Sequence, residues 1–253
     1  MNDQVINRIE KKYLLTKKQK QALLKLIRRN MKKDSYHKSK VLNLYFDNDN
    51  FESISESIDW VTFKKKVRAR SYEGYDRVFL EIKTKIHASE KSERIDPDEA
   101  CEENIGHKRR VMITHSDFRD LIEKKRSLTA LAERSIESTN DLQIAHEIDY
   151  LIAKFHLEPK ILVSYSRESY KDEQGLRITF DEKLKYRDQN LSFNTEKHDK
   201  IYFKNDRNII MEIKAQGVVP LWLAHGLSEQ KAYPEQFSKI GKVYQILKKG
   251  QNV

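Results

Sequence analysis

Charged side chains recur at alternate positions in several short, strand-like stretches of this chain. Lys64, Lys66, Arg68 and Arg70 form one row in TFKKKVRARSY. Glu81, Lys83 and Lys85 form a second in FLEIKTK, and Glu212 and Lys214 a shorter echo in IIMEIKAQ. Arg8, Glu10 and Lys12 open the chain in the same manner. Residues i and i+2 of a strand point to one face of its sheet, so each stretch collects its charges on a single face. One such row is an ordinary wet face; several in one domain suit a polyanion. Arginine offers phosphate oxygens a planar fork, and lysine a compact point charge. Phosphoryl transfer needs little covalent help from protein. It needs the phosphates held in line and the developing charge neutralised by cations and a divalent metal. Glu212, Glu81 or Glu10 could hold that metal through oxygen, the donor Mg²⁺ and Mn²⁺ prefer.

Composition points the same way without choosing a ligand. The chain has 253 residues, 49 of them basic and 39 acidic, for a net charge of +10. That balance favours an anionic partner, whether nucleic acid, lipid headgroup or phosphorylated metabolite. The length allows one large domain, and 7 Gly with 4 Pro are too few for long linkers. We therefore expect a single domain over residues 1–253. Cys101 is the only cysteine; no intrachain disulfide can form, a reducing compartment is favoured, and the thiol reads as structural or simply exposed. The N-terminal MNDQVINRIEKKYLL lacks a signal-peptide core, and the longest apolar stretch, GVVPLWLAHG, is too short to span a bilayer. A cytoplasmic protein without a membrane span is expected. There is no Walker-type loop, dinucleotide fingerprint, HExxH or CxxC, and the eight histidines are scattered singly.

The elements that must carry these rows can be read from periodicity. A strand is expected over Val5–Leu15, followed by a helix capped by Thr16 with Leu23, Leu24, Leu26 and Ile27 on its apolar side. KVLNLYFDN reads as a strand ending in an Asp-Asn turn, and Asp59–Tyr72 with Arg77–His87 as a hairpin about Gly74. HKRRVMI is a further strand. Helices follow over Ser116–Arg126 and Asp141–Phe155. KILVSYSRESY and LRITFDEKLKY form a second hairpin across Asp172–Gly175, and NIIMEIKAQ is the last strand. Two closing helices cover Pro220–Glu229 and Gln236–Lys249. LEIK at 80–83 and MEIK at 211–214 make a weak internal repeat. Val67, Ala69, Leu80, Ile82, Ile178, Phe180 and Ile213 alternate with the charges, so helices can cover the apolar side of an antiparallel sheet. The charged faces then point outward, or inward around a wet lumen, which requires a closed barrel and interleaved acids or a bound anion.

The ordered motifs RIEKKYLL, LYFDN, KVRARSY, FLEIKTK, HKRR, SYSRESY, LRITFD, MEIKAQG, Pro220–Trp222 and FSKIGK span nearly the whole chain. In this order the sequence resembles the polyphosphate polymerase domain of the vacuolar transporter chaperone (VTC) complex and its bacterial relatives, within the triphosphate tunnel metalloenzymes and the related CYTH group. The resemblance implies an α+β fold: a closed eight-stranded antiparallel β tunnel with a basic lumen and flanking helices. It implies transfer of the terminal phosphate of ATP to a growing inorganic polyphosphate chain, with Mn²⁺ or Mg²⁺ required. Carried over by motif, Lys12, Arg68, Arg70, Lys83, Arg167 and Arg177 would grip the triphosphate and the transferring phosphoryl group. Tyr165 shares a strand face with Arg167 and would donate a hydrogen bond. Glu212 matches the metal ligand, with Lys214 beside it on the same face. Ser238 and Lys239 match a phosphate-binding Ser-Lys pair, and Lys108 and Arg110 join Lys85 as basic lumen residues. Arg8 stands where hydrolytic tunnel enzymes begin a Glu-x-Glu-x-Lys metal motif, which argues for the VTC branch and leaves Glu10 as the acid of that strand. Gln236 replaces a frequent Lys, and Ile240 a frequent aromatic.

Three other readings stay open at the level of sequence. Water could replace the phosphate acceptor, making a triphosphatase. The cation rows could serve a non-catalytic binder of polyphosphate or another phosphorylated ligand. Nucleic acid would call for stacking aromatics such as Tyr72, Tyr75 and Tyr170, but no nucleic-acid motif frames them and no such partner is expected. The expected small partners are ATP or another nucleoside triphosphate, and polyphosphate or pyrophosphate. Coupled translocation of the product would need a separate protein partner.

Overall fold

The structure is a computed structural model and describes residues 8–56, 63–87, 104–135, 139–194, 198–203 and 205–250. Nine strands pair in one antiparallel network: β1 (Arg8–Leu15), β2 (Lys32–Asp47), β3 (Phe63–Tyr72), β4 (Arg77–His87), β5 (Asn104–Thr114), β6 (Glu158–Lys171), β7 (Arg177–Arg187), β8 (Lys200–Ile201) and β9 (Ile209–Gln216). Their hydrogen-bonded order is β1-β9-β7-β6-β2-β3-β4-β5, with the two-residue β8 on β7. The antiparallel α+β class expected from the pattern is the one observed. Closure is not: the path ends at β1 and β5, with no pairing between them among the described residues. Both end strands carry an exposed cation, Lys11 and Arg109, as strands with an unpaired edge commonly do.

The chain divides into two compact units. The first comprises Met1–Val41, Val163–Tyr186 and Asp199–Phe237. Tyr13 and Leu15 of β1, Ile178 and Phe180 of β7, and Met211 and Ile213 of β9 supply the inner face of its sheet. Helix α1 (Lys17–Asn30) covers that face with Leu23, Leu24 and Ile27, whose spacing puts them on one side of the helix. It starts where Thr16 and Gln19 form a reciprocal capping box. Helix α6 (Leu221–Glu229) lies so close to α1 that a Cβ at Gly226 would meet Leu26 Cδ1 at 2.5 Å.

The second unit comprises Leu42–Leu162, Arg187–His198 and Ser238–Val253. Its core holds Val67 and Ala69 of β3, Leu80 and Ile82 of β4, and Val111 and Ile113 of β5. Against these pack α3 (His115–Ile122), α4 (Leu128–Ser135) and α5 (Thr139–Phe155) through Phe118, Leu121, Leu131, Ile144 and Ile148. The short α2 (Glu52–Ser55) follows the expected turn after β2, where the buried Asp47 carboxylate accepts from the amides of Ser53 and Ile54 at 3.1 and 2.7 Å. α7 (Lys239–Gly250) closes this unit.

Most expected elements are present, with shifted ends. β2 begins eight residues earlier than KVLNLYFDN, because its first half, KKDSYHKSK, carries no apolar alternation. α4 has no expected counterpart. Its first amides, Leu128 and Thr129, are capped at 2.9 and 2.7 Å by Asp149 of α5, a partner that local sequence does not reveal. The expected residues Val5–Asn7 and Asp59–Thr62, the polar stretch 89–98 and Cys101 lie outside the described residues. No helix of the described residues is long and apolar enough to cross a membrane.

Candidate functional site

In the second unit the strand register stacks the cation rows side by side. Arg68 pairs across to Glu81, and Glu81 to Arg110; Lys66 pairs to Lys83, and Lys83 to Lys108; Lys64 pairs to Lys85. All lie on the face opposite Val67, Ala69, Leu80 and Ile82, which are buried in the core. The result is a cationic plate three strands wide, holding Lys64, Lys66, Arg68, Arg70, Lys83, Lys108 and Arg110 around a carboxylate of β4.

That carboxylate, Glu81, is fully buried. Arg68 donates from Nε to Glu81 Oε2 at 2.7 Å, Lys108 Nζ to Oε1 at 3.1 Å, and Arg70 Nε stands 4.0 Å away. Burial alone would raise the Glu81 pKa. The charges of Arg68, Arg70 and Lys108 outweigh it and pull the group down to about 2. Both oxygens are engaged with cations, so Glu81, a metal candidate by residue type, is the plate's counter-ion instead. Lys108 is pushed down by desolvation and by neighbouring Arg70 and Arg110, despite its ion pair with Glu81. Arg70 is aimed by a second contact, donating from Nε to Asn43 Oδ1 at 2.8 Å. The backbone of Lys85 pairs with Lys64, and its side chain lies outside the described residues.

The first unit carries a second charged face, of mixed sign. Glu10 lies opposite Lys214 and Lys12 opposite Glu212 across β1 and β9; Lys214 lies opposite Arg177 and Glu212 opposite Thr179 across β9 and β7. Lys214 Nζ bridges Glu10 and Glu212 at 3.3 and 3.2 Å, and Lys12 Nζ meets Glu10 at 3.1 Å. Arg167 forks onto the buried Asp181, with Nε and Nη2 donating at 2.6 and 2.8 Å, and stands 4.0 Å from Glu212. Desolvation would lower the Arg167 pKa, but facing Tyr165, Asp181 and Glu212 drives it well above the usual value. Tyr165 lies beside it, its hydroxyl accepting from Arg167 Nη2 at 3.5 Å. Arg177 is not in this group, since its guanidinium pairs with Asp34 at 3.0 Å. Ser238 and Lys239 stand at the start of α7, where the Ser238 hydroxyl accepts from the Gly241 amide at 3.2 Å and serves as a helix cap.

Three residues in these groups were not singled out from sequence: Asn43, Asp34 and Asp181. Asp181 was findable, because it falls at the i+4 position from Arg177, on the charged face of LRITFDEKLKY. Asn43 and Asp34 lie in β2, and nothing in their own stretch marks their partners.

Among the described residues no three His, Cys, Asp or Glu side chains gather as a metal cage. Two carboxylates, Glu10 and Glu212, do meet on Lys214. The buried Thr179 hydroxyl opposite Glu212 has no hydrogen-bond partner among the described residues. Mg²⁺ commonly binds through one or two carboxylates, with substrate phosphates and water completing the shell. These oxygen donors fit an ion that arrives with its phosphates.

Comparison with known proteins agrees with this geometry. A putative adenylyl cyclase from Hippeastrum, HpAC1, described as having a dominant triphosphatase activity, shares the fold with a TM-score of 0.51; at 14% identity the alignment covers 96% of this chain and 96% of that one. A putative adenylate cyclase from Vibrio parahaemolyticus (TM-score 0.46, 10% identity, 95% of this chain and 99% of that one) and a protein from Pyrococcus horikoshii OT3 (0.45, 13%, 94% and 99%) are more distant. No curated protein matches the chain in sequence. The VTC domain model matches residues 7–248. The chain belongs to the VTC domain family.

Proposed function

We propose that this protein is a metal-dependent phosphotransferase that moves the terminal phosphate of ATP onto inorganic polyphosphate. The observation that carries the reading is the plate of cations on β3, β4 and β5 around the buried carboxylate of Glu81. Such a surface holds a phosphate chain by charge and offers the transferring group little covalent chemistry, which is what phosphoryl transfer requires. Arg68 and Arg70 are held by Glu81 and Asn43 before any ligand arrives, so little ordering is left to occur at the reaction. Lys83, Lys85, Lys108 and Arg110 extend the grip along the chain of phosphates. The first unit has its own charged face, on which Lys12 and Lys214 are cations and Glu10 with Glu212 are carboxylates of the kind Mg²⁺ prefers. Ser238 and Lys239 add a capped helix start to the phosphate contacts. A bound Mg²⁺ or Mn²⁺ would offset negative charge on the phosphate oxygens it touches.

The acceptor follows from proton chemistry. A terminal phosphate of polyphosphate arrives already ionised and needs no general base. Water must lose a proton, and Glu81, with its pKa held at about 2, is a poor base at neutral pH. A triphosphatase is the second reading, favoured by the activity described for the Hippeastrum protein of the same fold. The deciding experiment incubates purified protein with ATP and Mn²⁺ or Mg²⁺ and follows ADP, free phosphate and long-chain polyphosphate together. ADP with matching chain growth supports the polymerase. Free phosphate without chains replaces it with hydrolysis, and no turnover with either metal leaves a polyphosphate-binding module.

A further inference from the structure

An aromatic cluster continues the cationic plate of the second unit at its β3–β4 turn. Register places Phe79 between Arg70 and Met112, one row beyond the Arg68–Glu81–Arg110 row and on the same face. Tyr75, in the turn, stacks on Phe79 with centroids 6.0 Å apart and planes inclined by 7°. Tyr72 meets both rings edge-on, at 6.5 and 6.2 Å. The Tyr75 hydroxyl donates to Met112 Sδ at 3.8 Å, and the Arg110 guanidinium lies 4.7 Å from the Phe79 ring centre. Arg110 thus belongs to both the plate and the aromatic cluster. Tyr75 and Met112 are each 43% exposed, an uncommon display of large apolar area beside so many charges.

We infer that Tyr75, with Phe79 and Met112 behind it, is a stacking platform for the base of a nucleoside triphosphate whose phosphates lie along the plate. This rests on the phosphate-binding reading of the plate and adds the site for the rest of the donor. The spacing suits it. At about 3.4 Å per residue, the Arg68–Glu81–Arg110 row lies about 7 Å from Phe79 and the Lys66–Lys83–Lys108 row about 14 Å. An extended nucleotide, from base to terminal phosphate, covers a comparable length. Every base has a π face, and an aromatic platform reads little else. The site therefore favours purines over pyrimidines by stacking area and discriminates weakly between adenine and guanine. It also explains how one surface can separate the donor from its product: polyphosphate has the charges for the plate but nothing to stack on Tyr75.

The test is calorimetric titration, with Mg²⁺, of the β,γ-imido analogues of ATP and GTP and of inorganic tripolyphosphate into wild type, Tyr75→Ala and Tyr75→Phe. Loss of the ring should weaken both nucleotide analogues on the order of tenfold, leave tripolyphosphate within about twofold, and be reversed by phenylalanine. Tyr75 lies at an exposed turn, and matching circular dichroism of the variants checks the fold. Equal affinities of wild type and Tyr75→Ala for the nucleotides, or an equal loss for tripolyphosphate, overturns the platform while leaving the plate intact. Failure of wild type to bind either kind of ligand overturns the plate and the platform together.

Discussion

Replacing Glu81 with glutamine removes the buried negative charge of the cationic plate while keeping the side chain's size. The carboxylate is fully buried among Arg68, Lys108 and Arg70, and its pKa falls from 4.5 to about 2 on folding. Because the folded value is below the unfolded one, the ionised group stabilises the protein above about pH 4.5, and that contribution is lost as pH falls through about 2. A shift of that size corresponds to about 3 kcal/mol at neutral pH. The same linkage leaves roughly 1 to 2 kcal/mol near pH 3, where keeping the folded carboxylate ionised works against a higher proton concentration. The variant cannot ionise and lacks the term at every pH. Urea denaturation of both proteins, followed by circular dichroism, should therefore show a gap of about 3 kcal/mol near pH 7 that shrinks by about half near pH 3. Tripolyphosphate added near neutral pH should restore more stability to Glu81→Gln than to wild type, because it supplies the missing charge to the same cations. A gap that is the same at both pH values, or below about 1 kcal/mol near neutrality, would refute the argument that Glu81 is the ionised centre of the plate.

Arg70→Ala removes a pre-aimed cation and should lower turnover by about a hundredfold or more, with urea stability shifting far less than in Glu81→Gln; steady-state kinetics and denaturation on the same preparations check it. Glu212→Gln should raise the Mg²⁺ or Mn²⁺ concentration needed for half-maximal activity by about tenfold, with nucleotide affinity measured in EDTA serving as the control. Lys108 is held below its ordinary value, so phosphate binding should draw a proton onto it. Buffer-dependent binding enthalpy near pH 9, absent near pH 7, would show that uptake. Thr16→Ala breaks the capping box of α1 and should cost about 1 kcal/mol of unfolding free energy, read by urea denaturation.

Much of this protein is legible in its strands taken one at a time. Side-chain direction alternates with period two, so Lys66, Arg68 and Arg70 had to share a face and Val67 with Ala69 had to share the other. The capping box at Thr16 and the hairpin about Gly74 are equally local, since the box spans three residues and the pair Ser71 with Val78 seven. What local pattern does not carry is pairing between distant stretches. That Glu81 meets Arg68 and Lys108, rather than a metal, depends on the register of β3, β4 and β5. That Arg167 is spent on Asp181, while Arg177 turns to Asp34, depends on which carboxylate burial leaves within reach. α4 was missed for the same reason, its cap being supplied by Asp149 on another helix. Composition and periodicity specify which charges share a face. Which of them neutralise one another, and which keep surplus charge for a ligand, is set by distances of a few ångströms across strands, where low local dielectric makes the difference large.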